Sequence, residues 1–190
     1  MARRAKETTM KKIYRKKTVD IAYQFRMGAG FAGDVNRTHP VSITAELISA
    51  AAPPTAYGQC VLVAAANAGV RPFTTGDISQ AGYGVTVRPF PAQQAQTNQN
   101  FGAVALGSVA PPTTGVIDVL RSGFIMVNLP SGGTTVKGGA VYVRVAAAAT
   151  THTPGDFEAA ADGANNVLLT NAIFNGAPDA SGNVEIQFNV

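Results

Sequence analysis

Residues Val184-Glu185-Ile186-Gln187-Phe188-Asn189-Val190 alternate apolar and polar side chains through all seven positions. A period of two puts every apolar side chain on one face of an extended chain, whereas one face of a helix needs a period of 3.6. The same alternation returns in Ala140-Val141-Tyr142-Val143-Arg144-Val145, with Val141, Val143 and Val145 on one face and Tyr142 and Arg144 on the other. Gly84 to Phe90 repeats it more briefly as Val85-Thr86-Val87-Arg88 and stops at Pro89 and Pro91. Gln59 to Ala66 is a short continuous apolar run, suited to a strand buried on both faces. Further runs occupy 103–106, 115–120, 123–129, 167–169 and 172–174. Only Pro40 to Ile48 is ambiguous, since its Ala-Glu-Leu part suits a short helix equally well.

Turn chemistry separates these runs. Pro53-Pro54 stops one, Arg71 to Asp77 is turn material, and Asn175-Gly176 is a hairpin signal. Phe124 to Leu129 and Ala140 to Val145 flank Pro-Ser-Gly-Gly-Thr-Thr-Val-Lys-Gly-Gly, which predicts a long hairpin or a strand with a short insert. Many short strands with close turns predict an all-β fold, a compact β-sandwich or small barrel of jelly-roll-like form. Composition agrees. Charged residues are 14% of the chain, against about 25% in typical soluble domains. That is too few for the exposed faces of a helical bundle, while the Val, Ala and Thr content is too apolar for disorder.

Charge divides the chain in two. Arg3, Arg4, Lys6, Lys11, Lys12, Arg15, Lys16 and Lys17 stand against Glu7 alone, a net of +7. The remainder has seven Lys/Arg and ten Asp/Glu, a net of −3. Residues 1–27 therefore read as an extended basic N-terminal arm, and 28–190 as the β-domain. The arm suits docking on an acidic protein surface or on nucleic acid. The β-domain supplies no second basic patch, so nucleic acid is the lesser reading. No apolar stretch approaches the roughly 18 residues of a membrane span, and no membrane partner is expected. The first thirty residues also lack the apolar centre of a secretory signal.

Catalytic chemistry finds few candidates. His39 and His152 have no Cys or Asp/Glu at metal-ligand spacing, so no metal and no cofactor is expected. His152 reads as a loop residue rather than a base, and Asp156 and Glu158 as loop carboxylates flanking Phe157. Ser131 to Gly138 looks like a phosphate loop, but Lys137 precedes Gly138 instead of following a glycine, and no helical pattern comes after it. The single cysteine, Cys60, sits in an apolar run and reads as a buried small hydrophobe. No catalytic residue is assigned, and the chain is expected not to be an enzyme.

Several segments, taken in order, resemble the structural cement (decoration) proteins of tailed bacteriophages. They are Gly-Phe-Ala-Gly-Asp at 30–34, Pro-Val-Ser-Ile-Thr-Ala-Glu at 40–46 and Tyr-Gly-Gln-Cys-Val-Leu-Val at 57–63. Gly84-Val85-Thr86-Val87-Arg88, Gly123-Phe124-Ile125-Met126-Val127, the run from Gly139 to Val145 and the terminal apolar strand complete the set. Each motif is loose, and the resemblance is carried by their combination. The basic arm departs from the family pattern. The resemblance implies an all-β domain on the outer capsid surface of the virion, made in the host cytoplasm. It also implies a homo-oligomer (dimer or trimer) bridging subunits of the major capsid protein. Under that reading the eight basic residues of the arm are a capsid-docking element. The alternatives are a tail- or fibre-associated virion protein, or a nucleic-acid-binding protein acting through the arm.

Overall fold

The computed structural model describes residues 30–65, 68–78, 80–89, 110–146 and 152–190. The arm at 1–27, the Gln/Asn-rich stretch at 92–100 and the run at 103–106 lie outside the described residues. Nine strands are present among the described residues: β1 (Ser42–Leu47), β2 (Cys60–Val63), β3 (Val70–Pro72), β4 (Gly84–Thr86), β5 (Val116–Asn128), β6 (Ala140–Arg144), β7 (Phe157–Glu158), β8 (Asn166–Phe174) and β9 (Asn183–Phe188). Every ladder between them is antiparallel, in the order β3-β2-β4-β5-β9-β8-β6-β7, with β1 also on β5. The all-β expectation is met. The ladders make one curled antiparallel sheet.

β5 is the spine. The two runs read separately at 115–120 and 123–129 are one strand, continuous through Gly123, whose φ of 141° is closed to most side chains. Its first half carries β1 on one edge and β4 on the other; its second half carries β9. Met126 also accepts from Gly33 N–H at 2.8 Å and donates to Asp34 C=O at 2.9 Å, so residues 33–34 occupy the edge of β5 opposite β9.

Two cores follow from this arrangement. The ladders β1-β5-β4-β2-β3 form a chain of five strands, and a parallel bridge between Ile48 and Val70 closes it into a ring. Ile48, Val61, Val70, Ile117 and Val119 pack together in this ring beside Tyr57 and Tyr83. The larger core takes Cys60, Leu62 and Val85 from one end of the sheet and Val143, Phe157, Leu169, Ile186 and Phe188 from the other. Consecutive residues of β2 face different cores, Val61 into the small one and Cys60 and Leu62 into the large one. Burial of each large apolar side chain contributes about 1.5–3 kcal/mol.

The alternation expected over 184–190 is realised as far as Phe188: Val184, Ile186 and Phe188 are buried and Glu185 and Gln187 half-buried, while Asn189 turns out of the strand at a φ of 51° and leaves Val190 exposed. The Pro40–Ile48 ambiguity resolves to strand. Two sequence expectations are corrected. Phe124–Leu129 and Ala140–Val145 do not pair as a hairpin, because β9 takes that edge of β5 and β6 pairs with β8 and β7. Asp156 and Glu158 do not flank Phe157 in an open loop, because Phe157 and Glu158 form β7 and both are buried.

Candidate interaction surfaces

Polar groups concentrate where the two ends of the sheet meet. Cys60 N–H donates to Gly155 C=O at 2.9 Å, tying β2 to the turn that leads into β7. Beside it Gln59 Nε2 donates to Asp156 Oδ1 at 3.0 Å, and Thr153 N–H donates to Asp156 Oδ2 at 3.0 Å. Burial raises the Asp156 carboxyl, with these two donors working against it. On β6, Arg144 is only 5% exposed although alternation places it opposite the valines. The chain from 152 to 166 covers that face. Arg144 Nη1 reaches Asp162 Oδ2 at 2.6 Å and Glu158 Oε1 at 3.5 Å, and its hydrogen bond holds Asp162 below the usual carboxylate range. Glu158 also meets His152 Nδ1 at 2.7 Å and accepts from Asn166 Nδ2. Buried charges persist when they are paired, and Arg144 and Glu158 pair with each other and with more exposed partners, although Arg144 Nε is buried with no hydrogen-bond partner among the described residues. The arrangement clasps the sheet ends. His152 belongs to that clasp, as a loop residue with a structural partner.

No group of three or more His, Cys, Asp or Glu among the described residues is placed to hold a metal ion. No described helix is long and apolar enough to cross a membrane. The Cys60 thiol is fully buried, and burial pushes its pKa far up, so it behaves as the small hydrophobe expected.

The outer surface offers two places that differ from an ordinary solvated face. Across β8 and β9 a shallow cleft of about 440 Å³ is lined by Thr170, Asn171, Ile173, Gln187, Asn189 and Val190 and by the small side of Ala172. It contains no charged side chain, and Ile173 and Val190 are 40% and 55% exposed. Interface centres are depleted in charge in the same way. The second place is β1, exposed along nearly all its length, with Ile43 and Leu47 open to solvent.

The described arginines of the domain are already committed. Arg37 pairs with Glu185 at 2.7 Å and lies over the Phe124 ring at 4.1 Å. Arg71 pairs with Asp77 at 2.7 Å, Arg88 lies 3.7 Å from Asp34, and Arg121 stacks on Tyr83 at 3.4 Å. With Arg144 in the clasp, all the described arginines are held by their own domain.

A family model described as XM1 gp53 minor capsid protein matches residues 21–188. The chain belongs to that family. Among solved structures, a chain of "The capsid of Myoviridae Phage XM1" has the same fold, with a TM-score of 0.58 and 16% identity over 88% of this chain and 95% of that one. No curated protein matches the sequence. Membership in a minor capsid protein family makes this a phage capsid structural protein, which is the class that the segment order had suggested. The family match reaches nine residues upstream of Gly30, the first described residue, and leaves out most of the basic arm. Arg3, Arg4, Lys6, Lys11, Lys12, Arg15, Lys16 and Lys17 lie outside the described residues. The β8–β9 face and the β1 edge were not singled out in the sequence. Uncharged Thr, Asn and Gln beside an isoleucine look there like any solvated strand.

Proposed function

We propose that the protein is a capsid cement protein: a non-enzymatic homo-oligomer that binds the outer surface of the assembled shell and bridges neighbouring major capsid protein subunits. Family membership supports the capsid setting. The observation that carries the docking step is the charge-free β8–β9 face around Ile173 and Gln187. A surface that gives up water at little electrostatic cost suits a broad protein contact, and many copies on one lattice gain further through multivalency. Binding the assembled shell and not its free subunits stabilises the shell by mass action. The commitment of the domain arginines to internal partners favours protein over nucleic acid as the domain's ligand.

The test is co-sedimentation of the purified protein with expanded shells that lack it. Saturable binding at fixed stoichiometry is expected, and Ile173→Arg should remove most of it while the circular dichroism stays β. Binding to duplex DNA with no binding to shells would overturn the reading. Shell binding unaffected by Ile173→Arg would move the docking face elsewhere.

A further inference from the structure

We propose that the cleft between β1 and β3 receives one lysine side chain of the major capsid protein, its ammonium group held by Glu46 and the Ala45 carbonyl. The proposal rests on the reading of the protein as a cement protein and names one contact by which it grips the shell.

Two hydroxyls and the ladder set the acceptor groups. Glu46 Oε1 accepts from the Tyr83 hydroxyl at 2.7 Å and from the Thr44 hydroxyl at 3.0 Å. Both donors use the same oxygen, so the carboxylate is held in place while Oε2 receives no donor from the described residues. Ile48 N–H donates to Gly115 C=O at 2.9 Å, and β1 pairs with β5 in continuous antiparallel register from Ile43 to Leu47. Backbone groups alternate in direction along a strand, so those of Glu46 face β5 as those of Ile48 do, and those of Ala45 face outward. The Leu47 carbonyl, on the same outward edge, lies against Gly69. This edge borders a cleft of about 450 Å³ lined by Ala45, Leu47, Val63, Val70 and Tyr83, with Glu46 at its side.

The ligand follows from charge and shape. Glu46 makes no ion pair among the described residues, and Arg121 is held on the Tyr83 ring at 3.4 Å. The described residues thus leave a half-buried carboxylate without a counter-charge. An apolar cleft with a carboxylate at its side suits a side chain with an apolar stem and a cationic tip. Lysine fits better than arginine. A guanidinium fork takes both oxygens of a carboxylate, and Oε1 is already used twice. An ammonium group is a compact point charge, which one carboxylate oxygen and one carbonyl can hold.

The basic arm of this chain is the poorer source. The rim of the cleft is apolar, with Leu47 62% and Val63 40% exposed. Lys11-Lys12 and Arg15-Lys16-Lys17 would set further cations against that rim, and Lys6 would bring Glu7 beside Glu46. A lone lysine on a folded shell subunit avoids both costs.

The test uses the full-length protein. It is bound to expanded shells that lack it, washed and treated with a carbodiimide, which joins a carboxylate to an amine only where the two touch. Mass spectrometry of the digest should find Glu46 linked to a lysine of the major capsid protein. Glu46→Gln keeps an oxygen for the Tyr83 and Thr44 hydroxyls and removes the charge. It should weaken shell binding about tenfold, equivalent to ~1.4 kcal/mol, and flatten its salt dependence, with the β circular dichroism unchanged. Glu46 linked to an arm lysine, of the same copy or another, overturns the proposal. So does the absence of any Glu46 link, or a Glu46→Gln variant that binds as the parent does, on shells that the parent saturates at fixed stoichiometry; the cement reading then stands. A full-length protein that does not bind shells overturns both.

Discussion

Ile48 and Val70 meet in a parallel bridge, the one parallel contact among the described ladders, and it closes the five-strand ring. The approach depends on Gly69. Its φ is 93°, and a Cβ there would stand 2.4 Å from the Leu47 carbonyl oxygen. Gly69→Ala should therefore destabilise the protein by about 2–3 kcal/mol, combining left-handed strain with a backbone clash. Thermal melting would show it. A variant that melts with the parent would mean that the ring closes without this contact.

Acid stability should depend on Asp77. Its carboxylate accepts from Arg71, from Thr74 N–H and from the Thr74 hydroxyl, and Arg71 foremost holds its pKa at about 2. A carboxyl depressed in the folded state stabilises the fold fully above its unfolded pKa and loses that contribution as pH falls through the folded one. Asp77→Asn should cost about 1–2 kcal/mol at neutral pH. The gap between parent and variant should close between about pH 4 and pH 2. A gap that is constant over that range would contradict the assignment.

Glu158 compensates the buried Arg144. Glu158→Ala should cost about 3 kcal/mol, since it leaves a buried guanidinium with Asp162 as its remaining carboxylate. For a chain of this length that corresponds to a melting point lower by roughly 6–12 °C. Replacing Arg144 by Met in the same chain should recover part of the loss, and calorimetry of the single and double variants measures how much.

Cys60 should resist thiol reagents. The sulfur is fully buried and its ionisation is suppressed, so labelling in native buffer should be slower than in denaturant by orders of magnitude. Rapid native labelling would show that the large core opens beside β2.

The parts of the fold legible in the sequence were those set by local period. The alternations at 141–145 and 184–188 identified faces as well as strands, and Val141, Val143, Val145, Val184, Ile186 and Phe188 are all buried, whereas Val190 falls beyond the strand and is exposed. Partner choice was not legible, because ladders join distant segments. β9 reaches β5 across more than fifty residues, and nothing near Phe124 or Ala140 reveals that competition. The runs at 115–120 and 123–129 read as two segments and are one strand. Arg144 was placed opposite the valines, and alternation cannot foresee that β7 and Asp162 cover that face. β7, two residues long, has no period to detect. The interaction faces were hidden for a related reason: an unpaired edge is a property of the assembled sheet and of no single segment.

The sharing of β5 sets how the molecule comes apart. Its first half turns Ile117 and Val119 into the small core and Leu120 into the large one, its second half lines the large core, and β2 divides the same two cores by turning alternate residues to each. Neither core can therefore shed its wall while the other stays intact. Unfolding should proceed as one cooperative event, with a single heat-absorption peak and amide protons along β5 exchanging only through the global route. On a shell under strain, such a protein would hold its shape up to one threshold and then fail completely, with no softened intermediate to creep or detach by degrees.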